Sequence, residues 1–172
     1  MLANAAGVMP DALKFDADQR FFERGLGEVD VVVHGRRSQE QQPRSPQRRR
    51  LIVTRTVPGL AADPTNENAR LWNPAGASLA QALSDLGVPD ARIGVVGAGE
   101  VFALFLDRYD AFYLSRVPRV RLPGGRPVFP EVPARTPEQV LAAHGMHCAE
   151  SRALDAAKGL TLDTWERARE LG

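Results

Sequence analysis

The sequence predicts an α/β protein, a mostly parallel sheet flanked by helices and completed by a C-terminal antiparallel hairpin. Three observations carry this expectation. Short β-branched runs, Val29 to His34, Leu51 to Thr56 and Arg92 to Val96, have the continuous apolar profile of strands buried on both faces. Helical patterns fall between them at the spacing of parallel crossovers. Near the end, Met146 to Leu154 and Leu160 to Arg167 flank a turn over Asp155 to Gly159 and read as a hairpin, although the second segment is also acceptable as a helix.

Taken in order, residues 17 to 27 read as a short helix with Asp16 as N-cap, Asp18 in its first turn, and Phe21, Phe22 and Leu26 as apolar positions. After the first strand comes Gly35. The stretch Arg37 to Arg50 is rich in Gln, Ser, Pro and Arg, and Pro43 and Pro46 oppose a long helix, so a flexible exposed loop is expected at 39–50. Residues 57 to 77 carry prolines, Asn and Asp, the composition of a surface connection. Ser78 then caps a helix over Leu79, Ala82, Leu83 and Leu86 that stops at Gly87. The third strand meets Gly97-Ala98-Gly99 at once, and a helix from Glu100 to about Arg108 comes next. Phe112 to Val117 reads as the next strand and Pro123 to Pro130 as a turn-rich segment.

With 172 residues, the chain is expected to form a single domain spanning 1–172. Its 44% apolar and 25% charged residues are the balance of a globular protein rather than a disordered one. A formal charge of +1 excludes a strong field that would draw it to nucleic acid or an anionic membrane. Charge is nevertheless concentrated: Arg36, Arg37, Arg44, Arg48, Arg49, Arg50 and Arg55 share one stretch whose only acidic residue is Glu40. Interleaved aromatics of a base-stacking surface are missing there, so nucleic-acid binding is not expected. No run approaches the length of a membrane span, and the N-terminus lacks a signal-peptide pattern. Cys148 is alone, which excludes an intrachain disulfide; a buried, inert thiol and a cytoplasmic location are expected. His144 and His147 could share a helix face, but only Cys148 lies near them and no metal site is expected.

Three strand ends could meet one anionic ligand. Gly97 and Gly99 would let a phosphate approach backbone N–H groups, although Phe102 breaks the longer dinucleotide fingerprint and a plain tight turn is the alternative. His34-Gly35-Arg36-Arg37-Ser38 offers two guanidiniums and a hydroxyl, a set that suits pyrophosphate as well as an exposed basic loop. Thr54 and Arg55 end the next strand on the same expected sheet edge. Asp18, just before Phe21 and Phe22, is the carboxylate placed for proton chemistry, with a helix-start Asp as the structural alternative.

In their order, Ile93-Gly-Val-Val-Gly-Ala-Gly-Glu-Val-Phe102, Asp110-Ala-Phe-Tyr-Leu-Ser-Arg-Val117 and Gly124-Gly-Arg-Pro-Val-Phe-Pro130 resemble the second half of the dihydrofolate reductase superfamily, including its riboflavin-biosynthesis reductase domain. Val31-Val-Val-His-Gly-Arg36 and Leu51-Ile-Val-Thr-Arg55 resemble its two cofactor-binding strand ends, and Ala17-Asp-Gln-Arg-Phe-Phe22 its substrate-side helix. The resemblance implies NADPH as cofactor and reduction of a pterin-like or pyrimidine-like heterocycle. It implies that Asp18 holds the heterocycle and assists protonation, with Phe22 beside it and Ser115 supporting the acid. Gly35, Arg36, Arg37 and Ser38 would then meet the cofactor phosphates, Thr54 and Arg55 the 2′-phosphate, and Gly97, Ala98, Gly99 and Glu100 the pyrophosphate and nicotinamide side. Two departures stand out: Ala98 where relatives usually carry a second glycine, and Phe102 for a common Tyr. Relatives open with an apolar strand and a short turn, whereas Met1 to Gly7 resembles the segment just after that turn, so a missing first strand is expected, its residues upstream of Met1. A non-catalytic binding remnant of the same fold is the alternative, and a homodimer is left open.

Overall fold

Val31, Val32 and Val33 are fully buried at the heart of a parallel sheet in the computed structural model, which describes residues 2–38 and 42–168. In chain order the elements are α1 (Asp16–Gly27), β1 (Val31–Gly35), β2 (Arg49–Val53), β3 (Leu60–Ala62), β4 (Ala69–Trp72), α2 (Leu79–Asp85), β5 (Ile93–Gly97), α3 (Gly99–Leu104), β6 (Ala111–Arg116), α4 (Pro137–Ala143), β7 (Met146–Asp155) and β8 (Leu160–Arg167). They fall into two compact units, residues 22–101 and residues 1–21 with 102–172.

The unit 22–101 is built on a five-stranded sheet of order β3-β4-β2-β1-β5. β1 pairs in parallel with β2 and β5, and β4 runs parallel to β2, as the β-branched runs predict. β1 has strands on both sides and its first four residues are buried; β5 is an edge and its first four are half-buried. The expected surface connection over 57–77 is corrected: it contains β3 and β4, paired antiparallel. These strands are three and four residues long, and Ala and Arg fill much of them, so their own β-propensity is weak and pairing decides them. Trp72 is 3% exposed and its indole donates to Ala77 O at 2.8 Å. α2 starts as predicted at Ser78, whose hydroxyl accepts from Gln81 N while its own N–H donates to the Gln81 side chain.

The expected loop at 39–50 is shorter where it is described. A 3-10 turn occupies Ser45–Gln47 and β2 begins at Arg49; Gln39, Glu40 and Gln41 lie outside the described residues. Buried Arg50 donates to Ser45 O and Ser45 Oγ, both at 2.6 Å, and Arg48 donates to Leu26 O at 2.8 Å. Arginine-to-backbone bonds thus hold a segment whose composition alone argues for a loop.

The other unit carries a three-stranded antiparallel sheet of order β6-β8-β7, which includes the predicted hairpin. β6 pairs with β8 rather than joining the parallel set. Its alternation of buried Phe112 and Leu114 with exposed Tyr113 and Ser115 is that of an antiparallel strand with unlike faces. On the buried face, Phe112 meets Phe129 at 5.3 Å between ring centroids, and Val140, Leu141, Met146 and Trp165 complete the core. Val140 and Leu141 come from α4, an element not predicted from the sequence. Its signal was present: Thr136 and Gln139 form a capping box and Pro137 occupies the first turn.

Two smaller expectations are corrected. α3 ends at Leu104, short of Arg108, the chain continuing through turns closed by Phe105, Leu106 and Arg108 N–H groups. His144 and His147 share no helix: His144 comes just after α4 and bonds Asp107 Oδ1 at 2.6 Å, whereas His147 lies in β7. Among the described residues no helix is long and apolar enough to cross a membrane.

Candidate functional site

Two groups of predicted residues are assembled, one in each unit. In the unit 1–21 with 102–172, α1 supplies Asp18 and β6 supplies Ser115. The Ser115 hydroxyl donates to Asp18 Oδ1 at 2.5 Å, although 97 residues separate them. Along β6 the period of two puts Tyr113 on the same face as Ser115. On α1, Phe21 lies one turn beyond Asp18 and meets Tyr113 edge to face, with centroids 5.2 Å apart.

The antiparallel register extends this face. Ser115 is opposite Leu162, which is opposite Arg152; Tyr113 is opposite Thr164, which is opposite Glu150. Arg152 places its guanidinium carbon 5.7 Å from the Phe21 ring centre. The result is a half-buried carboxylate with one oxygen held by a hydroxyl, two aromatic rings beside it, and a cation over one of them. Such a face can hold a flat heterocycle by its ring N–H groups. Tyr113 and Arg152 were not singled out from the sequence; Phe21 was noted only as one of the pair after Asp18, with Phe22 the residue expected beside the heterocycle. Phe21 is the ring that meets Tyr113, and Phe22 is half-buried at the next position. The i, i+3 spacing from Asp18 could have pointed to Phe21, but only the strand pairing brings in Arg152.

In the unit 22–101, parallel pairing brings three strand ends to one edge of the sheet. Gly35 pairs with Val53, one residue before Thr54, and His34 pairs with Gly97. Gly35 to Ser38, Thr54 with Arg55, and Gly97 to Glu100 therefore stand at the carboxyl ends of neighbouring strands, where open α/β sheets bind ligands. Ser38 N donates to Gly35 O at 3.0 Å, closing the turn after β1. Arg36 and Arg37 are exposed, and among the described residues neither side chain has an ion-pair partner. Arg55 is 90% exposed and 3.7 Å from Glu100.

Thr54 is buried, and its hydroxyl is engaged within the chain. It contacts Thr56 Oγ1 at 2.9 Å and accepts from Thr56 N at 3.2 Å. The Gly97–Ala98 peptide is cis, and Gly97 has φ +112°, a conformation that side chains disfavour. Gly35 lies close beneath this turn: a Cβ there would sit 3.5 Å from Val101 Cγ2 and 4.0 Å from Gly97 O. Glu100 is exposed in the first turn of α3.

Cys148 corrects an expectation. The thiol is exposed rather than buried, with Sγ 3.5 Å from Glu150 O. It lies in β7, an edge strand of its sheet that is exposed from His147 through Ala153.

No protein-family model and no curated protein sequence matches the chain. Solved structures do share its fold. A riboflavin biosynthesis protein of Shewanella sp. PV-4 superposes with a TM-score of 0.66 at 20% identity, covering 97% of this chain and 92% of that one. A diaminohydroxyphosphoribosylaminopyrimidine deaminase/5-amino-6-(5-phosphoribosylamino)uracil reductase of Thermotoga maritima superposes with a TM-score of 0.59 at 15% identity. That match covers 97% of this chain and 53% of the other, so the chain spans about half of that protein. The fold is therefore dihydrofolate-reductase-like, as the sequence resemblance implied.

Proposed function

We propose that the chain is an NADPH-dependent reductase that transfers a hydride to a C=N or C=O bond of a pyrimidine-like or pterin-like heterocycle. The observation that carries this reading is the Asp18–Ser115 hydrogen bond beside Phe21 and Tyr113. The Ser115 hydroxyl donates to Asp18 Oδ1, which leaves Oδ2 available for a ring N–H. Once the ring is held between Asp18 and the aromatic pair, Asp18 can hold or pass a proton as the heterocycle is reduced.

The residues at the sheet edge suit an anionic dinucleotide. Arg36 and Arg37 are exposed, and among the described residues neither has an ion-pair partner, while Arg55 lies 3.7 Å from Glu100. Arg36, Arg37 and Ser38 would bind the phosphates, with Gly35 and the turn Gly97, Ala98, Gly99 permitting close backbone approach. Arg55 would receive the 2′-phosphate, with Thr54 shaping its turn. NADPH, when bound, supplies the hydride.

Within this class a riboflavin-biosynthesis-type substrate is preferred over dihydrofolate. Gly124-Gly125 before Pro127-Val-Phe129 resembles the former type, and the structural neighbours are named as a riboflavin biosynthesis protein and as a 5-amino-6-(5-phosphoribosylamino)uracil reductase with a deaminase. A cytoplasmic location accords with this reading.

The test is a fluorescence titration with NADPH, with NADH as control, and then NADPH oxidation assays on a ribosylamino-pyrimidine and on dihydrofolate. Tighter NADPH binding and turnover of the pyrimidine are expected. Absence of NADPH binding would favour the non-catalytic remnant instead.

A further inference from the structure

We propose a second ligand site at the opposite end of the parallel sheet, for a phosphate monoester that also carries hydroxyl groups. A cavity of about 620 Å³ opens where β1 and β2 begin, at the paired residues Val31 and Arg49. That volume lies within the range of small-molecule sites. Because the strands are parallel, this end is remote from the edge formed by Gly35, Thr54 and Gly97, so a ligand here is not the nucleotide of the proposed reductase.

The walls divide by chemistry. Val29, Val32 and Val88 are among the apolar lining residues, Arg44, Arg48 and Arg49 supply positive charge, and Asp30 and Asp90 supply negative charge. The arginines have different duties. Arg48 is tied to Leu26 O at the C-terminal turn of α1, and Arg50, beneath the same segment, is tied to Ser45 O and Oγ. Those bonds fix the turn that joins the cavity wall to the sheet. Arg44 and Arg49 are exposed, and among the described residues neither has an ion-pair or side-chain hydrogen-bond partner. Two guanidiniums on a braced backbone, without an ion-pair partner among the described residues, match the charge of a phosphate and can grip its oxygens in a bidentate manner.

The two carboxylates disfavour a purely anionic ligand. Asp30 Oδ2 accepts from Arg92 N at 2.8 Å, which leaves its other oxygen as an acceptor, and Asp90 adds a second carboxylate. Acceptor-only groups repel phosphate but take hydroxyl hydrogens. A ligand bearing both functions would therefore be oriented, with its phosphate toward Arg44 and Arg49 and its hydroxyls toward Asp30 and Asp90.

The experiment is isothermal titration of the full chain with ribose 5-phosphate and, separately, with inorganic phosphate, in wild type, Arg44→Gln/Arg49→Gln, Asp90→Asn and Arg36→Ala/Arg37→Ala. Circular dichroism would verify that each variant is folded. The wild type should bind ribose 5-phosphate more tightly than inorganic phosphate. Arg44→Gln/Arg49→Gln should weaken ribose 5-phosphate at least about ten-fold, the loss expected for a charge-assisted hydrogen bond. Asp90→Asn should narrow the preference over inorganic phosphate, and Arg36→Ala/Arg37→Ala should leave both affinities unchanged. Absence of ribose 5-phosphate binding, equal affinity for both compounds, or unchanged binding in folded Arg44→Gln/Arg49→Gln would overturn the proposal. NADPH titrations of the same proteins distinguish the two readings, since Arg44→Gln/Arg49→Gln should bind NADPH normally and Arg36→Ala/Arg37→Ala should not.

Discussion

Ser115 on β6 donates a 2.5 Å hydrogen bond to Asp18 on α1, joining the ends of a 97-residue separation at the one carboxylate singled out for proton chemistry. If Asp18 handles the proton, Asp18→Asn should lower kcat by about 10²–10⁴-fold, the usual weight of a general acid or base, and leave NADPH affinity unchanged. Ser115→Ala should cost less, about ten-fold in kcat/KM, because it removes one bond to a charged acceptor and leaves the carboxylate. Steady-state kinetics with an NADPH titration checks both, and wild-type turnover in Asp18→Asn would refute the role.

Arg167 is expected to be the costliest polar residue to remove. Its guanidinium donates to Leu106 O at 2.8 Å, Tyr109 O at 3.1 Å and His144 O at 2.7 Å, satisfying backbone carbonyls from separate turns. Arg167→Ala should lose about 3 kcal/mol in urea unfolding, since half-buried carbonyls would be left without a charged donor. Arg167→Lys should recover only part of this, because an ammonium cannot reproduce the three-way fork.

Gly76 should accept no side chain. A Cβ there would lie 1.6 Å from Pro58 O and 2.7 Å from Pro58 C, and both are backbone atoms that cannot swing aside. Gly76→Ala should destabilise by about 3 kcal/mol or more through forced backbone displacement. Thermal and urea unfolding would read this out.

The Glu138 carboxyl is held below its ordinary value of 4.5. Burial pushes it up, but its own backbone N–H, the Thr136 hydroxyl and the Arg116 guanidinium together outweigh that effect. For a depressed carboxylate the stabilisation is present above the ordinary pKa and lost as pH falls through the lowered one. Arg116→Ala should raise the Glu138 pKa and move that loss to higher pH. Unfolding curves measured from about pH 6 down to about pH 3 would reveal the shift.

Much of this fold is written in local pattern. The β-branched runs specify buried strands, Ser78 and Gln81 specify where α2 begins, and the last two apolar segments specify a hairpin, because burial on both faces, capping and turn chemistry act over a few residues. Even α4 was legible in Thr136-Pro137-Glu138-Gln139. β3 and β4 were not, since their Ala-rich and Arg-containing segments have little intrinsic preference, and β4 becomes a strand only against β2 and β3 only against β4. Nor could composition reveal that Arg48 and Arg50 brace the segment before β2.

The candidate sites divide in the same way. By itself the sequence determined the residue types at the strand ends, the acid on the first helix and the hydroxyl on the later strand. Which of them meet was decided by tertiary structure: parallel register aligns Gly35, Thr54 and Gly97, while antiparallel register brings Arg152 into line with Ser115. The Asp18–Ser115 bond, the buried Thr54 hydroxyl and the outward thiol of Cys148 belong to that second category. The first joins residues 97 positions apart, and the burial of Thr54 and the exposure of Cys148 depend on their places in the two sheets, none of which a local pattern can encode.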